Sequence, residues 1–177
     1  MPYLLTNQET KRLTFRKLEY SDFDTWLPFF NDPNVANYLA FDTSLSPREL
    51  CEFWFEKALA RYKNKTGGMN VLIDIQTGDF IGQCGLLLQE IEDEEMLEIG
   101  YSLLPQYRGK GYAIEAASMC KIHAFKHDLA PFLVSVIHVE NLASKKVALK
   151  NGMTYLKTID DFHGVKCDVY QVKQISH

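Results

Sequence analysis

The amino-acid sequence predicts an α/β fold, with a mixed, mostly antiparallel central sheet of about seven strands flanked by about four helices. The chain has 177 residues, of which 46% are hydrophobic and 24% charged, and it is expected to form a single domain over residues 1–177. Segments with alternating hydrophobic residues are interleaved with segments in which these residues recur at helical spacing. In order, they give the succession β-α-α-β-β-β-α-β-α-β-β.

The N-terminal part predicts one strand followed by short helical pieces. Residues Arg12 to Leu18 alternate well enough to form a strand. Ser21 or Asp22 suits the N-cap of a first helix, since acidic and then aromatic residues follow. Pro28 limits the continuity of that helix, and Val35 to Leu39 predicts another short helical piece.

A longer helix is predicted to start at Ser46, because Ser46 can cap it, Pro47 suits its first position and Glu49 can complete a capping box. Apolar residues recur at helical spacing to about Lys63. We interpret the aromatic residues of this stripe as core packing rather than as a ligand-binding surface. The apolar positions of the stripe are Leu50, Phe53, Trp54, Ala58 and Tyr62.

The middle of the chain predicts an antiparallel meander, since the hydrophobic period changes there to two. Met69 to Ile75 and Phe80 to Glu90 are predicted strands joined by a hairpin turn. The acidic stretch Glu90 to Glu95 is interpreted as a solvated turn. It leads into the predicted strand Leu97 to Leu104.

The C-terminal part alternates helices and strands. Tyr112 to His127 is a predicted helix, and the apolar, β-branched stretch Phe132 to Val139 predicts a central strand covered on both faces. A second crossover helix is expected from Leu142 to about Lys150. Met153 to Ile159 and Lys166 to Val172 then predict two final strands paired across a turn.

A turn with two glycines joins the strand ending at Leu104 to the helix that follows. Gly109 and Gly111 permit positive φ, so that backbone N–H groups can converge on an anion at the positive end of the helix dipole. Arg108 and Lys110 would add mobile positive charge. The turn therefore predicts a phosphate cradle, although the same pattern can form a tight turn without a ligand.

Two better-known phosphate loops are excluded by residue. A P-loop requires Ser or Thr after its Gly-Lys pair, and Gly111 follows Lys110 here. A dinucleotide-binding fingerprint requires Gly or Ala at its sixth position, which is Ile114 in this chain.

Composition argues against a nucleic-acid or membrane partner. The formal net charge is −4 and the chain has no long basic run, so binding to a polyanion is not expected. No stretch approaches the roughly 18 apolar residues needed to span a bilayer. The N-terminus lacks the basic and long apolar regions of a secretory signal, so we expect the protein to be cytoplasmic.

No metal site is expected. His123 and His127 have the i, i+4 spacing of metal ligands but lack a third ligand, so we interpret them as part of a solvated helix end. The cysteines are far apart in sequence, form no Cys-x-x-Cys pair, and are expected to behave as small, mostly buried hydrophobic residues. They are Cys51, Cys84, Cys120 and Cys167.

The glycine turn also carries a resemblance to a known family. Gln106 to Gly111 matches the Gln/Arg-x-x-Gly-x-Gly/Ala pyrophosphate loop of the GCN5-related N-acetyltransferases (GNAT), and the predicted element order resembles that fold over nearly the entire chain. Within the superfamily the chain looks most like the ribosomal-protein N-acetyltransferase-like (RimJ/RimL-like) branch. The segments that carry this likeness are Arg12–Arg16, Asn31–Ala36, Glu98–Leu103, Asn141–Ser144 and Lys150–Met153.

The resemblance implies a site for acetyl-CoA as cosubstrate. It implies that an irregular bend in the strand before the loop lets Leu103 pair with the pantetheine arm. Asn141 would approach the pantetheine or acetyl end, a role compatible with capping the next helix. Ser144 would protonate the departing thiolate, or is only a first-turn helix residue. The backbone groups expected to hold the pyrophosphate belong to Arg108, Gly109, Lys110, Gly111, Tyr112 and Ala113.

Glu98 is the general-base candidate. When an amine attacks a thioester, the amine must be neutral, the developing oxyanion must meet a donor and the sulfur must leave as a thiol or a stabilised thiolate. Glu98 lies in an otherwise apolar strand, where partial burial would raise its pKa. The alternative is that Glu98 faces outward, because a shift of one residue along the strand would move its side chain to the opposite face and out of a cleft.

Other polar residues are interpreted as structural or solvated. Tyr101 is expected to pack in the core, and His138 to be a hydrogen-bonded histidine in a central strand. Lys145 and Lys146 would meet either the 3′-phosphate of CoA or water.

The function expected from residues and resemblance together is an acetyl-CoA-dependent N-acetyltransferase that acts on a primary amine without a metal. The acceptor would be a protein N-terminal amine or a small amine. The alternative is a non-catalytic acyl-CoA-binding or sensing module that keeps the loop and lacks a productive acceptor site. The acidic stretch Glu90 to Glu95 could attract a cationic acceptor or simply be solvated, and edge-strand pairing leaves a monomer or a homodimer open.

Overall fold

The structure is a computed structural model that describes residues 2–175. Its helices pack around one seven-stranded sheet. The strands lie in the order β1-β2-β3-β4-β5-β7-β6, and all neighbours are antiparallel except β4 and β5. The predicted mixed, mostly antiparallel sheet is confirmed. The strands are β1 Leu13–Lys17, β2 Gly67–Asp74, β3 Phe80–Ile91, β4 Glu94–Leu103, β5 Phe132–His138, β6 Thr154–Phe162 and β7 Val165–Lys173.

Five α-helices occur within residues 2–175, and the three long ones agree with the prediction to within about a turn. The two short ones stand where a broken N-terminal helix was expected. The helices are α1 Phe23–Trp26, α2 Pro33–Tyr38, α3 Pro47–Asn64, α4 Tyr112–Lys126 and α5 Leu142–Lys150.

The first helix stops after a single turn. Leu27–Asn31 continues as a 3₁₀ segment, consistent with Pro28, which has no N–H to donate into an α-helix. Asp32 then caps α2, because its Oδ1 accepts a hydrogen bond from the Asn34 N–H at 3.0 Å. The chain therefore turns repeatedly over one face of the sheet.

Helix α3 begins with the predicted capping box. The Glu49 N–H donates to Ser46 Oγ at 3.3 Å, and the Ser46 N–H donates to Glu49 Oε2 at 2.8 Å. Trp54, Phe55 and Ala58 are buried against the sheet, as core packing requires. Phe53, at 40% exposure, is an exception to the predicted stripe.

The acidic stretch is a tight hairpin rather than a solvated turn of six residues, so the interpretation of Glu90 to Glu95 was wrong in extent. Glu92 and Asp93 have φ values of 48° and 64°, the left-handed pair typical of a two-residue hairpin turn. Such a turn continues the ladder on both sides. Strand β3 therefore reaches Ile91 and β4 already begins at Glu94.

Strands β4 and β5 diverge. Their parallel pairing is limited to Glu98 opposite Val134, whereas β3 and β4 pair in continuous register from end to end. The irregular bend expected before Leu103 is therefore not a break in the β3–β4 ladder. Since the Leu104 N–H donates to the Ile81 carbonyl at 3.1 Å, alternation along β4 turns the backbone of Leu103 towards β5 instead.

Hydrophobic residues cover both faces of the sheet. Helices α4 and α5 pack on one face through small residues such as Ala116 and Ala117, and α3 packs with the N-terminal helices on the other. The four cysteines are buried, as predicted, with the sulfur atoms of Cys84 and Cys120 3.5 Å apart. Across residues 2–175, no helix combines the length and apolar character needed to cross a membrane.

Candidate active site

A cavity of about 800 Å³ opens where β4 and β5 diverge. It extends from the glycine turn before α4 to the inner side of α3, so that one space connects these two ends. Most of the residues singled out from the sequence line it. They are Glu98, Leu103, Arg108, Gly109, Gly111, Ala113, Asn141 and Ser144.

The glycine turn presents backbone donors to this cavity. Gly109 and Gly111 have φ values of 74° and 82°, and Gly111 is the N-cap of α4 without a side-chain cap. Within residues 2–175, the backbone N–H groups from Gly109 to Ile114 have no hydrogen-bond acceptor. Unpaired donors at the positive end of a helix fit an anion such as a pyrophosphate.

Two residues of the predicted loop turn their side chains away from the cavity. The Tyr112 hydroxyl donates to Asp74 Oδ2 at 2.9 Å, and the Lys110 ammonium lies 5.7 Å from the Tyr107 ring centroid. Neither residue is part of the cavity lining, and only their unpaired backbone N–H groups are left for the predicted role. The mobile charge expected from the Lys110 side chain does not line the cavity.

An ion pair on the outer side of the turn fixes its shape. Arg12 Nε contacts Glu115 Oε2 at 2.6 Å, and Arg12 Nη1 donates to the Lys110 carbonyl at 3.0 Å. Thr10 Oγ1 also donates to Glu115 Oε1 at 2.6 Å. The carboxylate in the first turn of α4 is thus paired outside the cavity, where it opposes an incoming anion less.

Arg108 is held, not mobile, which corrects the expectation from the sequence. Its Nη1 contacts Asp32 Oδ2 at 2.8 Å, and its Nε donates to the Leu103 carbonyl at 3.2 Å. The hydrogen bond from Arg108, followed by that from the Asn34 N–H, lowers the pKa of Asp32 despite its partial burial. Arg108 therefore connects the glycine turn to the N-cap of α2.

The edge of β4 that faces β5 supplies further backbone groups. Ser135 Oγ donates to the Ile99 carbonyl at 2.8 Å, which bridges the two strands just beyond their point of pairing. Further along, the backbone groups of Tyr101 and Leu103 face the gap by the same alternation. The carbonyl of Leu103 already accepts from Arg108, whereas its N–H points towards the cavity.

Asn141 and Ser144 stand at the start of α5, across the gap from β4. Asn141 is the N-cap, since its Oδ1 accepts from the Ser144 N–H at 3.2 Å, and this leaves its side-chain NH₂ as a donor at the cavity wall. The Tyr101 hydroxyl donates to the Ser144 carbonyl at 2.7 Å. Within residues 2–175, the Ser144 hydroxyl has no hydrogen-bond partner.

Glu98 faces the cavity, so the outward-facing alternative is wrong. Its Oε1 accepts from the Val136 N–H at 3.2 Å, and its Oε2 accepts from Gln89 Nε2 at 2.8 Å. Burial raises the pKa of Glu98, and the two hydrogen bonds and the charges of Arg61 and Lys57 oppose that shift without cancelling it. A carboxylate with a raised pKa is suited to accept a proton.

Sequence reasoning missed the cations beside Glu98. Lys57 and Arg61 line the cavity from α3, where the stripe was interpreted as apolar packing. Their spacing of one turn from Trp54 and Ala58 is the signal that could have found them, because it puts them on the face that packs towards the sheet.

The histidines have structural contacts. His123 is buried and its Nε2 lies 2.9 Å from the Pro2 carbonyl oxygen, so interpreting it as part of a solvated helix end was wrong. No group of three potential ligands that could hold a metal ion occurs among residues 2–175. His138 lines the cavity with its Nδ1 accepting from the Glu140 N–H at 3.2 Å, in agreement with a hydrogen-bonded histidine.

Comparison with known proteins agrees with this geometry. The family model described as "Acetyltransferase (GNAT) domain" matches residues 12–154. The uncharacterised protein YkkB of Bacillus subtilis (strain 168) is 34% identical over 155 residues, which cover 87% of this chain and 88% of that protein.

Solved structures share the fold. An acetyltransferase from Agrobacterium tumefaciens (strain C58) is 29% identical, with a TM-score of 0.76 and coverage of 98% of this chain and 95% of its own. RimL, a ribosomal L7/L12 α-N-protein acetyltransferase solved in complex with coenzyme A, has a TM-score of 0.75 at 14% identity and covers 94% of this chain and 97% of its own. The chain belongs to the GNAT acetyltransferase family and, as predicted, is an N-acetyltransferase.

Proposed function

We propose that this protein binds acetyl-CoA and a primary amine together in the cavity and transfers the acetyl group by direct attack. The observation that carries the proposal is the continuous cavity, which has unpaired backbone donors at one end and a partly buried carboxylate at the other. Holding both substrates in one space turns a bimolecular reaction into an effectively intramolecular one. The acceptor is a small amine or a protein N-terminal amine.

The donor end follows from charge and backbone geometry. The N–H groups from Gly109 to Ala113 hold the pyrophosphate of acetyl-CoA, aided by the dipole of α4. The N–H of Leu103 pairs with the pantetheine arm, which lies in the gap between β4 and β5. The side-chain NH₂ of Asn141 donates to the same arm from the opposite wall.

Glu98 serves as the general base. The acceptor nitrogen attacks the thioester carbon, the bond from carbon to sulfur breaks, and the proton lost by nitrogen passes to the carboxylate of Glu98, directly or through water. The hydrogen bonds from Gln89 and the Val136 N–H fix the orientation of that carboxylate. Each oxygen keeps a second lone-pair direction for the incoming proton.

Ser144 serves as the acid at the departing thiolate: its hydroxyl donates to the sulfur as the bond from carbon to sulfur breaks, and it is reprotonated by the proton that the amine gave up, carried by Glu98 and water. The hydroxyl groups of Tyr101 and Ser144 both lie near the start of α5, and in the described part of the chain only that of Ser144 does not already donate a hydrogen bond. Tyr101 already donates its hydrogen to the Ser144 carbonyl at 2.7 Å, so this hydroxyl is not available to the sulfur. The Ser144 hydroxyl lines the cavity without a partner in the described part of the chain.

The proposal is tested with purified protein, acetyl-CoA and a panel of amines. We expect acetyl-CoA to raise the unfolding temperature and the right amine to release free thiol at a rate proportional to enzyme. Free CoA is the control, since it keeps the pyrophosphate and lacks the acetyl group. It should stabilise the fold and support no turnover.

Two results would contradict the proposal. Thermal stabilisation without thiol release for any amine would indicate a module that only binds acyl-CoA. If neither acetyl-CoA nor CoA raised the unfolding temperature, the cavity would not be the site that binds the acetyl donor.

A further inference from the structure

The end of the cavity farthest from the glycine turn carries two cations from one helix. Lys57 and Arg61 lie four residues apart on α3, and both line the cavity. Residues at this spacing share one face of a helix. Trp54 and Ala58 flank them on that face and are buried, so the helix is anchored where it presents the two charges.

Arg61 is fixed in place by neutral partners. Its Nη1 donates to the carbonyls of Thr66 at 3.3 Å and Leu88 at 3.0 Å, and its Nη2 donates to Gln89 Oε1 at 2.8 Å. Gln89 in turn donates to Glu98 at 2.8 Å. The guanidinium therefore has a defined position one side chain away from Glu98, and none of its direct contacts carries a negative charge.

Lys57 is positioned by aromatic rings and lacks a carboxylate partner. Its ammonium lies 5.5 Å from the ring centroids of both Phe41 and Phe53. Among residues 2–175, no carboxylate lies within ion-pair distance of it. Burial, and then repulsion by Arg61, lowers the pKa of Lys57, while Glu98 partly opposes the shift.

The charges at this end do not balance. Lys57 and Arg61 line the cavity together with Glu98, whose carboxylate is also the expected acceptor of the proton. A substrate with a second ammonium group would meet two cations and be repelled by both. A substrate with a carboxylate would relieve the repulsion between Lys57 and Arg61 and leave its amine for Glu98.

From these contacts we propose that the acceptor is a small amino carboxylate, such as a free amino acid, whose carboxylate binds Lys57 and Arg61 while its amine faces Glu98. This inference rests on the proposed acetyltransferase function and names the acceptor class for the same site. Phe41 and Trp54, which also line the cavity, provide an apolar wall for the remainder of the acceptor.

The experiment compares amino acids with their methyl esters as acceptors. Phenylalanine, leucine and alanine are each paired with the ester, and kcat/KM is measured by thiol release for the wild-type protein and for Lys57→Gln. The ester keeps the amine and side chain and loses only the charge of the carboxylate. The amine of an amino acid and the amine of its ester differ in basicity. We therefore compare the ratio of kcat/KM for the acid to kcat/KM for the ester between the wild-type protein and Lys57→Gln.

We expect the acid-to-ester ratio to fall by about tenfold in Lys57→Gln, the usual effect of losing a charged hydrogen bond. The esters are the internal reference: loss of the Lys57 charge also acts on the pKa of Glu98, and that effect is common to acid and ester and cancels in the ratio. Lys63→Gln is the matched control, since Lys63 is an exposed lysine on the same helix that does not line the cavity. Its ratio should equal that of the wild type.

Each other outcome overturns a distinct claim. An unchanged ratio in Lys57→Gln, or a kcat/KM for spermidine or an N-terminal peptide above that for every amino acid, would overturn the acceptor class and leave the acetyltransferase function intact. Failure of every amine to release thiol would overturn the proposed function itself, and the acceptor class with it.

Discussion

At the scale of single residues, the donor end depends on backbone geometry that only glycine adopts without strain. Gly109 has a φ of 74°, and no atom lies within 4 Å of the position that a Cβ would occupy. A side chain there would project into open space beside the unpaired N–H groups. The position is therefore free of packing, and a side chain added there would enter the space in which we propose that the pyrophosphate binds.

Gly109→Asp should weaken acetyl-CoA binding by about tenfold or more, because a carboxylate would stand where the pyrophosphate binds. The measurement is the dissociation constant by calorimetry. Gly78→Asp is the matched control, since Gly78 has a φ of 76°, open space around it and no place in the cavity lining. Equal losses in both variants would contradict the assigned donor site.

Glu98→Gln should lower kcat by about 10²- to 10⁴-fold, the usual contribution of a general base. In the wild type, kcat/KM should rise with pH in one step for the carboxylate and another for the acceptor amine. Because burial raises the pKa of Glu98, the first step lies above the ordinary carboxyl range, and activity is lost as pH falls through it.

In Glu98→Gln only the step of the acceptor amine should be left in the profile. Glu95→Gln, an exposed position on the same strand, should keep both steps. If the two variants give the same profile as the wild type, Glu98 has no part in the proton transfer.

The sequence predicted residue roles where they depend on neighbours along the chain. The glycine turn and the Asn141 cap could be recognised from spacing, and both have that geometry. The pairing of Arg108 with Asp32 joins residues 76 positions apart, which no local pattern reports. For the same reason Lys57 and Arg61 could not be related to Glu98 before the sheet was known.

At the scale of elements, α2 contacts the lining of the cavity at both of its ends. Its cap Asp32 holds Arg108, and its last turn lies over β5, where the ring centroids of Tyr38 and His138 are 5.1 Å apart. A change at its N-terminus can therefore affect the donor and the acceptor together.

Asp32→Asn should separate these effects, because asparagine still caps α2 but no longer carries the charge that holds Arg108. We expect acetyl-CoA to bind a few-fold more tightly, since Arg108 is released and a nearby anion is removed, and the KM for the acceptor to rise. Asp32→Ala is the comparison, since it also removes the cap and should lower stability by about 1 kcal/mol. Weaker acetyl-CoA binding in Asp32→Asn would show that the ion pair is needed for the turn's geometry.

Most elements were predictable because their signals are local. Ser46, Pro47 and Glu49 fixed the start of α3, and Pro28 correctly limited the first helix. The error at Glu90 to Glu95 has a physical cause: acidity indicates solvent exposure, whereas the left-handed conformation of Glu92 and Asp93 decides where the ladder ends.

At the scale of the whole molecule, the sheet consists of two ladders that meet over a short stretch. β1 to β4 form one ladder and β5, β7 and β6 another, and the two pair in parallel where Glu98 lies opposite Val134. Periodicity predicted each strand but not this divergence, because alternating residues report which face is buried and carry no information on the distance to the next strand.

Binding of acetyl-CoA should therefore protect the amides that face the gap. We expect hydrogen exchange at Tyr101 and Leu103 to slow on addition of acetyl-CoA, because the N–H groups of β4 gain a partner there. Peptide-resolved mass spectrometry measures this. Amides in the β6–β7 ladder, which is paired without the ligand, serve as the internal reference. Equal protection in both regions would indicate general stiffening instead of ligand contact at β4.

The two ends of the cavity differ in the kind of atom that does the recognising. The proposed donor end offers chiefly main-chain N–H groups, whereas the proposed acceptor end offers the side chains of Lys57, Arg61 and Glu98. A point mutation replaces a side chain and leaves the peptide N–H in place for every residue except proline. Under the proposed assignment, a few substitutions on α3 would therefore change the acceptor and leave the donor site as it is.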